Sequence, residues 1–163
     1  MTAEALLSIG VYGYSEEGFF DALQRARVDC FCDVRARRGL RGSQYAFANS
    51  QRLQARLRII GIKYVHIKEL SPSKQVREAQ KQIDAQQGVL KRSREELGDQ
   101  FKLFYAKEAL EDLDASRLLN IVLAGSSRPV FFCVEKSPKA CHRSLVTEEL
   151  SRQTGLPVEH IIP

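Results

Sequence analysis

Thiol, imidazole, carboxylate and guanidinium side chains are concentrated between residues 133 and 144, which read CVEKSPKACHRS. A cysteine at the start of a helix, beside a histidine and an arginine, has a lowered pKa, and its thiolate form is a nucleophile. A carboxylate nearby can transfer protons. The candidate catalytic residues in this stretch are therefore Cys133, Glu135 and Cys141, and the candidate anion-binding residues are His142, Arg143 and Ser144.

The elements on either side of this stretch predict where it lies in the fold. Val130 to Val134 is a short run of β-branched and aromatic residues, typical of a strand buried on both faces of a parallel sheet. Ala140 to Leu150 then reads as a helix that ends before Gly155. The first N–H groups of a helix attract anions, and open α/β sheets bind ligands at the carboxyl ends of their strands. We therefore expect the functional site at this edge of the sheet.

A second strand is predicted from Val28 to Arg35, with Asp33 and Arg35 on the same face near its carboxyl end. In this position Asp33 is a candidate catalytic acid or base, and Arg35 is a candidate partner of Arg143 in binding an anion. The alternative is that Asp33 and Arg35 pair with each other and have a structural role only.

The strand that ends in Cys133 and Glu135, followed by Cys-His-Arg-Ser at the start of a helix, resembles the bacterial and archaeal family catalogued as domain of unknown function 488. The resemblance covers most of the chain except about residues 71–113, and Ser71-Pro72 stand where that family commonly has two glycines. It implies a fold and a site but no reaction. Other segments that resemble the family are Ser8-Ile9-Gly10, Asp33-Val34-Arg35, Gly61 to His66, Glu69-Leu70 and His160-Ile161.

The expected fold is a single α/β domain over residues 1–163, since a chain of this length with 44% hydrophobic content can bury one full core. We predict a three-layer sandwich with a mostly parallel, Rossmann-like sheet of about five strands. A helical insertion is expected at about residues 71–113, between strands 3 and 4, because this connection is too long for a bare crossover. Residues 115–124 are predicted to form the most buried crossover helix.

Within the insertion, Ser73 to Leu97 reads as a polar helix whose apolar residues stand seven apart, so only a narrow face can be buried. The default interpretation of this segment is a poorly packed surface excursion, and the alternatives are a flap over the site or a contact surface for a partner. Gln100 to Leu113 has apolar residues at helical spacing and is expected to dock on the core.

The basic residues are concentrated in one part of the chain, whose net charge is +5. Nine cations and no acid lie between Val34 and Lys68, which leaves 16 of the 25 basic residues and all 20 acids elsewhere. Such a patch suggests nucleic acid or a nucleotide as partner, and arginine suits phosphate geometry better than lysine. The alternative is a solvated face without a ligand. The candidate nucleic-acid-binding residues are Arg37, Arg38, Arg41, Arg52 and Arg56.

Hydropathy argues against a membrane protein. The chain has no apolar run near 18 residues and no segment at its start that resembles a signal peptide. We therefore expect a soluble, cytoplasmic protein without membrane contact, and four cysteines that are thiols.

Three further interpretations of residues 133–144 are open. Cys133, Cys141 and His142 could bind zinc, with Glu135 or His66 as a fourth ligand. Neighbouring helical side chains diverge by about 100°, however, so Cys141 and His142 fit one ion poorly, and we predict no metal or other cofactor. Cys133 and Cys141 could form a redox pair, although their spacing matches no dithiol motif. The turn could also be purely structural.

The interpretation favoured by the sequence is an enzyme that acts on a phosphate-containing or nucleic-acid-related anionic substrate at the carboxyl ends of the strands. Its reaction class is left open. A noncatalytic nucleic-acid-binding module and a Cys/His metal-binding protein are the alternatives, since the first would need the arginines but not the thiols, and the second the thiols but not the arginines.

Overall fold

The computed structural model describes residues 2–90 and 94–163, which form a parallel sheet covered by helices. In chain order the elements within these residues are β1 (Leu6–Ile9), α1 (Glu16–Arg25), β2 (Cys30–Asp33), α2 (Ser50–Ile59), β3 (Lys63–His66), α3 (Lys74–Gln87), α4 (Asp99–Tyr105), α5 (Ala115–Arg117), β4 (Pro129–Phe132), α6 (His142–Thr154) and β5 (Val158–Ile161). Helices α4 and α5 each continue into a wider helical turn, Ala106–Leu110 and Leu118–Val122.

The five strands pair in the order β3-β2-β4-β1-β5, and every pair is parallel. In the register Phe132 lies beside both Ile9 and Asp33, so β1, β4 and β2 end side by side. Parallel crossovers are right-handed, which places α1 and α2 on one face of the sheet and α6 on the other, together with the insertion. This arrangement confirms the predicted α/β class and the open, Rossmann-like sheet.

The core on one face of the sheet is built from aromatic rings. The ring of Phe19 lies 5.3–6.2 Å from those of Phe20, Phe31, Phe47 and Phe132, mostly edge to face. Ser15 starts α1 by accepting a hydrogen bond from the Gly18 N–H, which points this ring inward. Phe19 therefore anchors α1 and also packs against Phe31 of β2 and Phe132 of β4.

The insertion is helical, as predicted, but its first helix is shorter than expected. Ser73 caps α3, and α3 ends at Gly88 in the left-handed conformation (φ +67°). The predicted helix over residues 73–97 includes residues 91–93, which lie outside the described residues. The chain then returns to α3, where the Gly98 N–H donates to Gln80 Oε1 at 2.8 Å. A partner contact through this segment stays a prediction.

The prediction that residues 115–124 form the most buried crossover helix is wrong. Asp114 caps α5 as its sequence suggests, but Ile121 is 69% exposed and Val122 39% exposed. Only one side of this segment, with Leu118 and Leu123, is buried. A high count of apolar residues does not make a helix buried on all sides when it packs against the rest of the protein, including α6, along one side only.

Among the described residues, no helix combines the length and the apolar character that crossing a membrane requires. The predicted cytoplasmic location stays a prediction.

Gly10, directly after β1, allows the chain to pass close to itself. A Cβ atom at this position would overlap the carbonyl group of Glu135 and would lie 3.1 Å from Nη1 of Arg143. The group that approaches the backbone at this glycine is the protein's own loop after β4. The absence of a side chain at residue 10 is therefore a packing requirement of that loop.

We predict that Gly10→Ala lowers the free energy of unfolding by about 2 kcal/mol or more, because the added methyl group must displace a backbone carbonyl. Gly39→Ala is the matched control, since a Cβ there meets only Asn49 Oδ1, at 3.9 Å. Urea unfolding of the two variants measures the difference. Equal midpoints for Gly10→Ala and the wild type would contradict the close approach.

Candidate functional site

Arg143 is fully buried at the start of α6, and all three of its guanidinium nitrogens donate to groups of the protein. Nη1 donates to the Glu135 carbonyl at 2.7 Å, Nη2 to the Lys136 carbonyl at 3.3 Å, and Nε to Ser8 Oγ at 3.3 Å. A buried guanidinium needs such acceptors. We expected Arg143 to bind an anion, but its position favours a structural role, in which it holds the loop after β4 against β1.

Ser144, another candidate anion-binding residue, is also used inside the protein. Its hydroxyl donates to the Cys141 carbonyl at 2.9 Å, and its side chain is buried. The hydroxyl proton of Ser144 is therefore used in a bond to the backbone at the start of α6 and does not point toward a ligand outside the protein.

Asp33 and Arg35 form the buried pair that the sequence suggested as an alternative. Arg35 donates through Nε to Oδ1 at 2.9 Å and through Nη2 to Oδ2 at 2.8 Å. The backbone N–H of Arg35 and the hydroxyl of Tyr64 supply two more hydrogen bonds to the same carboxylate. Because a carboxylate has about four acceptor positions, this geometry leaves Asp33 as an orienting group and not as a proton acceptor.

Arg35 has one nitrogen that this pair does not use. Nη1 is buried and makes no hydrogen bond within residues 2–90 and 94–163, although the side chain is only 2% exposed. The guanidinium lies over the ring of Phe132, with Cζ 4.7 Å from the ring centroid. Of the two arginines predicted to bind an anion, Arg35 is therefore the one that retains a donor for it.

His142 is held in a defined orientation by the strand beside it. Its Nε2 lies 2.8 Å from the Val34 carbonyl, which can only accept, so Nε2 carries a proton. The other ring nitrogen, Nδ1, lies 3.9 Å from Cys141 Sγ. In the neutral ring Nδ1 then has its lone pair on the side of the Cys141 sulfur.

Cys133, Cys141 and His142 form one compact group, which we call the Cys–His cluster. The two sulfur atoms and a ring nitrogen of His142 all lie within 4.8 Å of one another, and the three residues are buried. The geometric objection to a shared ligand is wrong, because Cys141 is not helical. It caps α6 in an extended conformation (φ −138°, ψ 143°), so its side chain does not follow the helical rotation to His142.

The cluster favours charged forms of Cys141 and His142 over neutral ones. Burial raises the pKa of the Cys141 thiol, but the hydrogen bond from Cys133 and the charges of His142 and Arg143 outweigh it, and the pKa lies well below its ordinary value. Burial lowers the pKa of His142, but the Cys141 thiolate, the Val34 carbonyl and Glu135 raise it above its ordinary value. Each of the two groups thus favours the charged form of the other.

Glu135 is linked to the insertion by Arg94, a residue that the sequence did not identify. Arg94 donates through Nη2 to Glu135 Oε1 at 2.9 Å and through Nη1 to Asp84 Oδ2 at 2.8 Å. Its Nε and Nη2 also reach the Ala140 carbonyl. Glu135 and Asp84 are buried, and the side chain of Arg94 is 9% exposed. The insertion thus contributes a charge to the site.

Tyr105 of α4 covers the cluster from the same side. Its hydroxyl donates to the Leu70 carbonyl at 2.6 Å, and its ring meets the His142 ring edge to face, with centroids 5.3 Å apart. Tyr105 and Arg94 thus bring two parts of the insertion against the cluster, while a flap formed by residues 73–97 stays a prediction. His66, considered as a zinc ligand, is bonded instead to the Arg35 carbonyl, through Nε2 at 3.0 Å.

The buried charges around the cluster balance. Three guanidinium groups and three carboxylates lie here with little or no exposure. They are Arg35, Arg94 and Arg143, and Asp33, Asp84 and Glu135. The surroundings therefore carry no net charge, and a group added to the cluster is most easily accommodated if it is neutral overall.

The five arginines predicted to contact nucleic acid fall into two groups. Arg37 and Arg41 are exposed, and Arg38 lies 3.5 Å from the Tyr64 hydroxyl, on the loop that leaves the carboxyl end of β2. Arg52 and Arg56 lie on α2 and share the carboxylate of Glu16, at 2.8 and 3.9 Å. The count of charges between Val34 and Lys68 did not include Glu16, which lies on α1 and meets these arginines in the fold. Only the loop arginines lie near the site.

The tyrosine and phenylalanine beside these arginines do not form a stacking surface for bases. Tyr45 and Phe47 are buried, and Tyr45 accepts a hydrogen bond from the Gly13 N–H at 3.0 Å. Their rings belong to the aromatic core around Phe19.

Comparison with known proteins agrees with the resemblance predicted from the motifs. A family model described as Domain of unknown function DUF488 matches residues 15–150, which include the insertion and the whole Cys–His cluster. No curated protein and no solved structure matches the chain.

We predict that Arg143→Gln lowers the free energy of unfolding by about 3 kcal/mol, because each buried acceptor left without a donor costs about 1–3 kcal/mol. Arg152→Gln on the same helix is the control, since its side chain is 71% exposed and pairs only with Glu149 at the surface. Urea unfolding measures both. If Arg143→Gln is as stable as Arg152→Gln, the structural role of Arg143 is wrong.

His160 connects the stability of this region to pH. Ser8 Oγ lies 2.6 Å from His160 Nδ1 and also accepts a hydrogen bond from Arg143 Nε. Burial, and then the charge of Arg143, lower the pKa of His160. The unfolded chain therefore binds the proton more readily, and protonation below about pH 6.5 favours unfolding.

We expect the free energy of unfolding to fall as the pH is lowered from about 7 to 5, with a smaller fall in His160→Asn. The difference between the two proteins isolates His160 from other titrating groups. Urea unfolding at several pH values gives both curves, and parallel curves would show that His160 does not contribute.

Proposed function

Because the chain belongs to the family described as Domain of unknown function DUF488, which names no reaction, we propose from the geometry that the protein is an enzyme acting on a phosphate-containing or nucleic-acid-related anionic substrate. The substrate binds outside the carboxyl ends of β2 and β4. The reactive centre is the Cys–His cluster.

The observation that carries this proposal is the buried Nη1 of Arg35, which has no hydrogen-bond partner among the described residues. A buried charged donor left unpaired costs more than the about 1–3 kcal/mol of a neutral group, so it marks a position for a missing acceptor. Asp33 holds the rest of the guanidinium through two hydrogen bonds, so Nη1 has a defined direction. A phosphate oxygen is the acceptor that suits this geometry best.

The neighbouring residues provide a route for an anion to this position. Arg37 and Arg41 are exposed on the loop that begins at Arg35 and attract phosphate groups from solution. Beyond the end of β4, Cys141 caps α6 without a side-chain hydrogen bond to the first turn. The first N–H groups of this helix favour negative charge.

The remaining roles follow from the hydrogen bonds that each side chain already makes within the protein. Asp33 orients Arg35, and Arg143 holds the loop. Glu135, fixed by Arg94 at 2.9 Å, is the candidate acid or base. The Cys–His cluster supplies the reactive group, because a thiolate is both a nucleophile and a metal ligand.

The exposed loop arginines also fit a noncatalytic nucleic-acid-binding module. Such a module would bind through Arg37 and Arg41 and would not depend on Glu135. Retained binding of an oligonucleotide together with loss of turnover in Glu135→Gln supports the enzyme, whereas a screen that detects binding but no turnover in the wild type supports the module.

We predict that inorganic phosphate or a nucleotide raises the melting temperature of the wild type and that Arg35→Lys weakens this binding about 10- to 150-fold. A charge-assisted hydrogen bond contributes about 1.5–3 kcal/mol, and lysine keeps the charge but not the fork. Thermal shift and calorimetry measure the change, with Arg117→Lys on the exposed side of α5 as control. Unaltered affinity in Arg35→Lys would refute the anion site.

Oligonucleotide binding tests the loop separately. Fluorescence anisotropy with single- and double-stranded probes should show affinity that falls with salt, and Arg37→Gln with Arg41→Gln should reduce the logarithmic slope by about 0.7–0.9 for each phosphate that the variant no longer neutralises. The matched control is Arg52→Gln with Arg56→Gln, because these arginines already share Glu16. A larger effect of the control pair would place the interface on α2 instead.

A further inference from the structure

We propose that the Cys–His cluster is a zinc site, with Cys133 Sγ, Cys141 Sγ and His142 Nδ1 as its protein ligands. This inference rests on the proposed function in one respect, because both take the Cys–His cluster as the centre of the site. It adds that the cluster binds a zinc ion.

The spacing of the ligand atoms is close to what one tetrahedral ion requires. Zinc binds sulfur at about 2.3 Å and histidine nitrogen at about 2.0–2.1 Å, which puts neighbouring ligand atoms roughly 3.5–3.8 Å apart. Cys141 Sγ and His142 Nδ1 are 3.9 Å apart, and no pair in the cluster exceeds 4.8 Å. Small side-chain rotations therefore suffice to bring all three atoms onto one ion.

The hydrogen bond from His142 Nε2 to the Val34 carbonyl is an independent observation that fits a metal ligand. Histidines that bind metals commonly donate their other ring N–H to a carbonyl or carboxylate, which fixes the tautomer and the ring orientation. Here that bond is 2.8 Å long, and it leaves Nδ1 as the nitrogen next to the sulfur atoms. This bond holds the ring in the orientation that a metal ligand needs.

The charge of the complex suits its surroundings. Zinc with two thiolates and a neutral imidazole is neutral, and the three buried guanidinium groups and three buried carboxylates around it balance. No net charge is buried when the ion binds. Two sulfur ligands and an imidazole also select zinc over magnesium or calcium, which prefer oxygen.

Burial favours a metal ligand over a free nucleophile. Cys141 is 1% exposed and Cys133 7% exposed, so a substrate cannot reach either sulfur without displacing protein. A ligand to zinc needs no such access. Three protein ligands leave one tetrahedral position to a water molecule, and zinc polarises the oxygen bound in that position.

The test begins with protein purified without a histidine tag from medium that contains zinc. Elemental analysis should find about one zinc per chain in the wild type and in Cys30→Ala, and at least a tenfold loss in Cys133→Ala and in Cys141→Ala. Cys30 is the matched control because it is a buried thiol on β2, outside the cluster. Zinc below about a tenth per chain that does not rise when zinc is added overturns the proposal.

A second measurement does not depend on the variants folding. Cobalt added to metal-free wild-type protein should give an intense thiolate-to-cobalt charge-transfer band and tetrahedral visible bands at one equivalent, and zinc should abolish them. Removal of zinc by a chelator should lower the melting temperature, and zinc should restore it. Absence of the charge-transfer band refutes the site even if some zinc is found, because adventitious zinc would lie elsewhere.

Phosphate binding by the metal-free and zinc-loaded wild type separates this inference from the proposed function. Zinc bound without any phosphate binding supports the metal site and refutes the anion-directed enzyme. Phosphate binding that depends on Arg35, in protein that takes up neither zinc nor cobalt, refutes the metal site and leaves the proposed function standing.

Discussion

The buried guanidinium of Arg143 is the constraint on which the site depends. An arginine placed under the first turn of α6 needs acceptors, and it finds them in the carbonyls of Glu135 and Lys136 and in the hydroxyl of Ser8. These bonds pull the loop after β4 across the end of β1, where Gly10 leaves room for it. The position of that loop in turn decides where Cys133, Glu135 and Cys141 lie. One side chain thus orders two strand ends and a helix start.

The fold could be predicted from the sequence to the extent that its signals are local. The apolar runs of the strands are such signals, and so are the helix caps Ser15, Ser73 and Asp114, because each acts within a few residues. The exposure of Ile121 and Val122 could not be predicted in this way, because it depends on which helices pack beside α5. The type of an element is a local property, whereas its burial is a property of its neighbours.

The residues of the site could be predicted in part. Parallel strands bring their carboxyl ends to one edge, so the meeting of Asp33, Cys133 and the start of α6 follows from the order of the elements. Which of these groups bind one another does not follow, because it requires distances. Arg94 reaches Glu135 from 41 residues away along the chain and has no motif. The cluster was recognised as a possible zinc site, but its fit to one ion was misjudged, because Cys141 lies one residue outside the helix and that position decides where its sulfur points.

The hydrogen bonds from Arg94 to Asp84 and Glu135 affect how the protein unfolds locally. Arg94 bonds α3 through Asp84 and the loop after β4 through Glu135 and the Ala140 carbonyl. Lifting the insertion alone would leave buried charges unpaired, so fraying from Gly88 is disfavoured. The insertion and the loop are instead expected to form one cooperative unit of local unfolding, whose amide protons exchange with solvent together and more slowly than those of an unattached surface helix.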